Sequence, residues 1–233
     1  MAVTQWNCRG TYNNPEIQIL IQQLNPSILC LQETYYNPNR PQILRGFSIF
    51  NQNTAATPGG KTTGGVAIAI KPGIPHSEVP LNTNLQAQAV RITLHRTFTL
   101  CNIYIPPPSK PTPQDFDDLI NQLPQPFLLV GDFNAHSTQW GNRNTDPKGR
   151  LIENLIIRHN LCMLNDNSPT YLHLPTGSKT AIDLSITSAN LYLDLDWSVE
   201  ADLFGSDHYP ITIKPTVQYQ EDKPARFNYN KTT

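Results

Sequence analysis

The stretch Phe127-Leu-Leu-Val-Gly-Asp-Phe-Asn134 decides how this chain folds and where its chemistry lies. Four bulky apolar residues followed at once by glycine predict a buried β-strand with a sharp exit. Residues two apart in extended backbone point to the same side, so the acid of Asp132 and the amide of Asn134 face one space. Such a pair can hold a water molecule between a base and a hydrogen-bonding amide.

Other apolar segments of the sequence also end in polar residues of the kinds that active sites use. A carboxylate at the end of an apolar strand is costly unless it is paired, hydrogen-bonded or bound to a metal. Because the pattern recurs, we expect these side chains to converge on one edge of the fold, the polar edge. Its members are Asn7, Glu33, Tyr104, Asp132, Asn134, Asp183, Asp207 and His208.

Taken singly, several members of the polar edge have simpler explanations. Asn7 and Asn134 are equally typical of turns. Glu33 also fits the start of a surface loop, and Tyr104 fits a core aromatic residue with its hydroxyl at the surface. Asp183 interrupts an apolar run and fits a structural partner of a buried base, and we expect that partner to be His208.

The combined set fits the hydrolysis of a phosphodiester. That reaction needs an oriented water, neutralisation of charge on the phosphate, and help for the leaving oxygen. The carboxylates of Glu33 and Asp207 are hard oxygen ligands that suit Mg²⁺. Pairing with Asp183 would raise the pKa of His208 and fix its ring, and a protonated histidine polarises a phosphate.

Prolines and glycines divide the chain into short elements. We expect helices from a cap at Asn14 to about Leu24, from a cap at Thr112 to about Leu123, and near 149–159. We expect strands at 2–6, 27–32, 64–70, 87–94, 98–105, 127–130, 170–174, 178–186, 193–200 and 211–213. This pattern predicts an α/β fold, a two-layer β-sandwich flanked by α-helices. It forms one domain at 1–215, followed by a polar tail or linker at 216–233.

Composition narrows the classes of protein. The chain has 233 residues, 15% of them charged, and a net charge of −1, which argues against strong nonspecific binding of nucleic acid. No apolar run approaches the roughly 20 residues that span a bilayer, and the N-terminus has no signal-peptide pattern. We therefore expect an intracellular protein without membrane contact. Its reduced, buried thiols are Cys8, Cys30, Cys101 and Cys162.

Six motifs occur in the order found in the exonuclease–endonuclease–phosphatase superfamily, which the chain resembles over residues 6–208. They are Trp6-Asn7, Gln32-Glu33, Tyr104 before three prolines, Gly131-Asp-Phe-Asn134, Ile182-Asp183 and Ser206-Asp207-His208.

Within that superfamily the chain is similar to the apurinic-like endonuclease domains of non-LTR (LINE-type) retrotransposons of the jockey-like group. The box Gly-Asp-Phe-Asn-Ala-His136 with Trp140-Gly141 just after it is typical of them. Thr170 stands thirteen residues before Asp183, as a threonine does in those domains. The segment 225–229 resembles their linker to a reverse transcriptase.

The resemblance implies a DNase I-like fold of four layers and a Mg²⁺-dependent DNA endonuclease, with Mn²⁺ able to substitute. It implies a domain that nicks double-stranded chromosomal DNA in the nucleus and leaves a 3′-hydroxyl. That hydroxyl would prime a covalently linked reverse transcriptase. We expect the isolated domain to be monomeric.

The resemblance also assigns the metal site and the base. Glu33 would be the principal metal ligand, with Asp207 nearby. Asp132 would orient or deprotonate the attacking water, and Asn7 and Asn134 would hold Asp132 in place.

Phosphate contacts are implied in the same way. Tyr104 and His208 would contact the scissile phosphate, and Asp183 would orient His208. Thr170 would support the phosphate-binding edge, and the hairpin 171–180 would probe the DNA groove.

One departure from the family concerns Arg9, because abasic-site repair enzymes usually have an aspartate there. The departure favours the retrotransposon interpretation over the repair one. Arg9 would either face a DNA phosphate or lie on the surface. The candidate DNA contacts, all expected in loops near the polar edge, are Arg9, Lys61, Arg143, Lys148, Arg150 and Lys179.

Three alternatives remain from the sequence. The first is an abasic-site repair endonuclease. The second is a phosphatase of the same superfamily, acting on inositol phosphates or lipids, although the chain has no lysine and arginine cluster for several phosphates. The third is a binding module without activity, although every expected acid is present.

Overall fold

The structure is a computed structural model that describes residues 1–10, 15–37, 43–53 and 62–216. The predicted cap at Asn14, the candidate contact Lys61 and the tail from 217 onward lie outside the described residues. The elements follow the chain as β1 (Val3–Asn7), α1 (Ile17–Leu24), β2 (Ile28–Gln32), β3 (Ser48–Gln52), β4 (Val66–Ile70), β5 (His76–Val79), β6 (Gln86–Thr93), β7 (Thr97–Tyr104), α2 (Pro113–Asn121), β8 (Phe127–Asp132), α3 (Pro147–Arg158), β9 (Leu161–Met163), β10 (Tyr171–His173), β11 (Ser178–Thr180), β12 (Asp183–Ser188), α4 (Ala189–Tyr192), β13 (Leu195–Val199) and β14 (Ile211–Pro215).

Two six-stranded sheets form the centre of the fold. The first has the strand order β13-β14-β1-β2-β4-β3 and the second β5-β6-β7-β8-β12-β9, while β10 and β11 form a separate hairpin. A buried apolar cluster between the sheets includes Ile28, Leu128 and Ile211. The predicted α/β fold, a two-layer sandwich flanked by helices, is confirmed.

Helices cover the outer faces of the sheets and make four layers. Leu20 of α1 belongs to the cluster on the outside of the first sheet. Phe116 of α2 and Leu155 of α3 belong to the cluster on the outside of the second sheet, which also contains Leu129. Because β8 is covered on both faces, its first four residues are all apolar.

The predicted start of α2 is confirmed, whereas α3 begins earlier than predicted. Thr112 caps α2 in a reciprocal capping box with Asp115, as its sequence predicts. The third helix begins at Pro147, two residues before the expected 149, because Asp146 caps it by accepting from the Gly149 N–H.

The single strand predicted at 178–186 is wrong. The chain leaves the hairpin after β11 and joins the second sheet only at Asp183. Thr170 fixes this passage, because its hydroxyl oxygen accepts from the backbone N–H groups of Ile182 and Asp183.

Three strands were not predicted, namely β3, β5 and β9. All three lie at the edges of their sheets, where only one side of the strand pairs with a neighbouring strand. Their residues are largely exposed or half-buried, so they lack the apolar run that marked the central strands. Among the described helices, none has the length and apolar character needed to cross a bilayer.

None of the four cysteines, all of which lie in the described part of the chain, forms a disulfide. Cys8, Cys30 and Cys101 are buried as expected, whereas Cys162 is only half-buried and corrects that expectation.

Parallel pairing brings the strand ends of the polar edge together. Asn7 at the end of β1 lies opposite Gln32 at the end of the parallel β2, so Glu33 follows at the same edge. In the second sheet Tyr104 of β7 lies opposite Asp132 of the parallel β8. Asp183, the first residue of the antiparallel β12, lies opposite Asp132 on its other side.

Gly131 allows β7 and β8 to approach at this edge. A Cβ at this position would lie 1.8 Å from the Ile103 carbonyl oxygen of the neighbouring strand. Only glycine fits that contact, and it sets the placement of the next residue, Asp132.

We therefore expect Gly131→Ala to lower the free energy of unfolding by more than ~2 kcal/mol, because the two strands must separate to admit the methyl group. Gly177→Ala in the β10–β11 turn is the matched control: its φ is +69° but no atom lies within 4 Å of the added Cβ. The control should lose about 1 kcal/mol. Urea denaturation in EDTA compares the two, and equal losses would contradict the close approach.

Candidate active site

The carboxylate of Asp132 lies at the centre of the polar edge and is almost fully buried. Its Oδ2 accepts from the Asn7 and Asn134 side-chain amides, each at 2.9 Å. Its Oδ1 accepts from the Asn134 backbone N–H at 2.9 Å. Asn134 adopts a left-handed φ of +46°, which turns both of its donors toward the acid.

Asp132 is unusual for an aspartate because it holds its proton up to neutral pH. Burial, together with the negative charge of Asp183, raises its pKa to about 7. The positive charge of His208 and the hydrogen bonds from Asn7 and Asn134 oppose that rise. A carboxyl group with a pKa near the working pH is suited to general base catalysis.

His208, Asp183 and Thr170 form a buried hydrogen-bonded chain. The Nδ1 of His208 lies 2.9 Å from Asp183 Oδ2 and 3.1 Å from Oδ1, so the expected pair is present. The Thr170 hydroxyl donates to Asp183 Oδ2 at 2.7 Å. Burial alone would lower the pKa of His208, but Asp183, with Asp132 and Asp207, outweighs it and raises that pKa to about 9.

Glu33 follows β2 at the polar edge and is held by two tyrosines. The Tyr104 hydroxyl donates to its Oε1 at 2.7 Å, and the Tyr35 hydroxyl donates to its Oε2. Burial and the Glu33 charge raise the pKa of both hydroxyls. The Tyr104 hydroxyl is engaged by Glu33 in this structure, and its contact with the scissile phosphate stays a prediction.

Two residues of the site were not predicted from the sequence. Tyr35 contacts Glu33 from two residues further along the chain, a proximity that offered a weak signal. The ring of Tyr171 packs against that of His208 at a tilt of 54°, with centroids 4.8 Å apart, and the two residues pair in an isolated β-bridge. Its place directly after Thr170 was the available signal.

Asp207 carries an oxygen that the protein does not satisfy. Its Oδ2 pairs with Arg9 Nη1 at 3.1 Å. Its Oδ1 is buried, has no hydrogen-bond partner among the described residues, and lies 3.9 Å from His208 Nε2. A buried carboxylate oxygen without a hydrogen-bond partner fits a ligand of a hard divalent cation such as Mg²⁺.

A second group also has the spacing of a metal site. Ligand atoms of Asp132, Asp183 and His208 lie within 4.8 Å of one another. The oxygens of Asp183, however, already accept from Thr170 and contact His208. A histidine with a pKa of about 9 is protonated at neutral pH, and its proton competes with a metal.

The basic residues do not all lie in loops as expected. Lys148 and Arg150 lie on α3, and Lys179 lies on β11 with its ammonium 5.4 Å from the Tyr209 ring centroid. Lys148 donates to the carbonyls of Pro106 and Pro107 at 3.0 and 2.9 Å, and burial lowers its pKa. Arg143 is exposed in a loop, as expected.

A family model described as endonuclease–reverse transcriptase matches residues 98–212. The RNA-directed DNA polymerase from mobile element jockey of Drosophila melanogaster is 30% identical over 217 residues, 91% of this chain and 23% of that protein. The probable RNA-directed DNA polymerase from transposon X-element of the same species is 28% identical over 218 residues, 91% of this chain and 24% of that protein. The chain thus spans about a quarter of these relatives.

Solved structures give the same fold. The endonuclease domain of TRAS1, a telomere-specific non-LTR retrotransposon, superposes with a TM-score of 0.74 and 25% identity, covering 91% of this chain and 96% of that one. An AP endonuclease from Archaeoglobus fulgidus has a TM-score of 0.65 at 16% identity, covering 93% of this chain and 100% of that one, and supports the DNase I-like fold alone. The family-model match and these relatives thus make the chain similar to the endonuclease domains of jockey-like non-LTR retrotransposons in the exonuclease–endonuclease–phosphatase superfamily, as its sequence motifs predict.

Proposed function

We propose that this domain nicks double-stranded DNA by Mg²⁺-dependent hydrolysis of a phosphodiester and leaves a 3′-hydroxyl that primes reverse transcription. The observation that carries the proposal is the buried Asp132, with a pKa raised to about 7 and three hydrogen bonds that fix its orientation. The TRAS1 domain is by its description an endonuclease of a non-LTR retrotransposon, which supports the same activity here.

Asp132 acts on the attacking water. Each carboxylate oxygen accepts about two hydrogen bonds. Oδ2 already accepts from Asn7 and Asn134, whereas among the described residues Oδ1 accepts only the Asn134 backbone N–H. The remaining acceptor site on Oδ1 can therefore bind a water and take its proton as the water oxygen bonds to phosphorus. The bond between phosphorus and the 3′ oxygen then breaks, and that oxygen takes a proton from solvent to give the 3′-hydroxyl.

His208 neutralises charge on the phosphate. Asp183 holds one ring nitrogen, and the raised pKa keeps the other protonated at neutral pH. This second N–H donates to a non-bridging oxygen as negative charge develops there. Thr170 and Asp183 act as positioning residues, since they fix the ring and its proton.

Glu33 and Asp207 would hold a Mg²⁺ ion, and the ion would supply positive charge that offsets the negative charge developing in the reaction. We prefer Glu33 and Asp207 to the group Asp132, Asp183 and His208 as the metal ligands. The reason is that Asp207 Oδ1 is buried and has no hydrogen-bond partner among the described residues. Tyr104 and Tyr35 then act on the metal site through Glu33, whose oxygens they orient.

The partners follow from the relatives. Because the chain spans about a quarter of proteins described as RNA-directed DNA polymerases, we propose a covalently linked reverse transcriptase and action in the nucleus. The candidate DNA contacts remain Arg143, Arg150 and Lys179, with the β10–β11 hairpin as the segment that probes the groove. Lys148, held by two carbonyls, orders the proline loop after β7.

Supercoiled plasmid should become open circles with Mg²⁺ and stay intact in EDTA. Asp132→Ala and His208→Ala should each slow nicking by roughly 10²–10⁴-fold, the contribution of a positioned acid or base. Asp118→Ala, an exposed carboxylate on α2, is the control that keeps the rate. A DNA polymerase should extend the nicks without prior end repair. Intact plasmid with wild-type protein and Mg²⁺ would sink the proposal.

Substitution of Glu33 should slow nicking by weakening the binding of Mg²⁺. We expect Glu33→Gln to raise the Mg²⁺ concentration for half-maximal nicking at least ~10-fold, and Tyr104→Phe to raise it about 10-fold, with recovery at high Mg²⁺. Tyr192→Phe on α4 is the matched control and should leave it unchanged. A lower rate that excess Mg²⁺ does not restore would assign Glu33 another role.

His208 should make stability depend on pH. Its folded pKa of about 9 lies above the ordinary 6.5, so its stabilising proton is fully present below 6.5 and lost as the pH rises through about 9. In EDTA, the unfolding free energy of wild type relative to His208→Gln should therefore fall between those values. Urea titrations at several pH values measure this, and parallel stability curves would contradict a protonated His208.

A further inference from the structure

Arg9 lies in the turn that leaves β1 at the polar edge. Its backbone has a left-handed φ of +48°. The turn is fixed by two hydrogen bonds: Arg9 N–H donates to Asn7 Oδ1 at 3.2 Å, and Gly10 N–H donates to the Glu33 carbonyl at 2.7 Å. The turn is therefore tied to the residue that holds Asp132 and to the proposed metal ligand Glu33.

The guanidinium of Arg9 reaches across to the other proposed metal ligand. Its Nη1 lies 3.1 Å from Asp207 Oδ2, and the side chain of Arg9 is 52% exposed while that of Asp207 is 13% exposed. An exposed, flexible cation thus covers one oxygen of a nearly buried carboxylate. The other oxygen of Asp207 is the orphaned Oδ1.

We propose that Arg9 is a resident counter-ion of Asp207 that a divalent cation must displace, and that it thereby sets the metal affinity of the free domain. The inference rests on the proposed function, because it takes Glu33 and Asp207 as the metal ligands. Arginine stays protonated at all working pH values, so it repels a second cation on the same carboxylate. Its exposed stem lets it swing away without unfolding the site.

Displacement would give the released guanidinium a new partner. A guanidinium binds phosphate oxygens in a bidentate manner. Metal loading then frees Arg9 to bind the DNA backbone beside the scissile phosphate, and the two expectations for Arg9, surface residue and phosphate contact, become two states of one side chain.

The test measures the binding of Mn²⁺ to the domain in the absence of DNA. Electron paramagnetic resonance monitors the bound Mn²⁺, and Mg²⁺ serves as the competitor. Arg9→Gln and Arg9→Met remove the charge and should bind Mn²⁺ roughly tenfold more tightly than wild type, whereas Arg9→Lys should stay near wild type. Arg96→Gln breaks another arginine–aspartate pair, with Asp194, and should change nothing. Circular dichroism verifies that each variant is folded.

Unchanged or weaker Mn²⁺ binding in both neutral variants would overturn the inference. Glu33→Gln and Asp207→Asn separate this failure from failure of the proposed function. If they weaken Mn²⁺ binding while the neutral Arg9 variants do not strengthen it, the metal site stands and only the role of Arg9 is wrong. If neither acid matters, or nothing binds, the metal site and the inference fail together.

Discussion

The hydrogen bond from Asn7 Nδ2 to Asp132 Oδ2 joins the two sheets at the buried carboxylate of Asp132. An ionised carboxylate away from water is tolerated only when donors surround it. One donor comes from the first sheet and two come from Asn134 just beyond the second, so neither sheet alone can hold the group. The site therefore forms only when the two sheets pack together. A second hydrogen bond between the sheets, from Gln5 Nε2 to the Gly131 carbonyl at 2.9 Å, lies next to the first along β1 and β8.

Polar contacts between the sheets continue into the sandwich. Gln32 Nε2 donates to Asn102 Oδ1 at 2.6 Å, and the Asn102 amide donates to the carbonyls of Leu31 and Ala67. Buried groups of this kind contribute little net stability but penalise any other register strongly, because a shifted strand would leave them unpaired. The apolar cluster supplies the attraction between the sheets, and these amides select the one alignment that places Asn7 against Asp132.

The sequence was sufficient to predict those strands whose burial requires a run of apolar residues. Central strands such as β8 are apolar because both faces are covered, and their parallel ends must meet, so the polar edge could be predicted. The edge strands β3, β5 and β9 carry no such pattern. Side-chain contacts within the site could not be predicted either. Nothing in the residue order shows that the Tyr104 hydroxyl donates to Glu33, or that Arg9 pairs with Asp207, which is almost 200 residues away in sequence. Such pairs depend on side-chain direction, which only the assembled sheets determine.

Charge balance at the polar edge explains why a chain with a net charge of −1 can be a nuclease domain. Four carboxylates lie at this edge, and among the described residues two of them form ion pairs, Asp183 with His208 and Asp207 with Arg9. Glu33 is held by two tyrosine hydroxyls, and burial, together with the charge of Asp183, raises the pKa of Asp132. Under the function proposed above, a divalent cation would offset part of this negative charge and let a DNA backbone approach. A chain with almost no net charge could then act on DNA, because the ion would add to the positive charge that His208 and Arg9 bring to the edge.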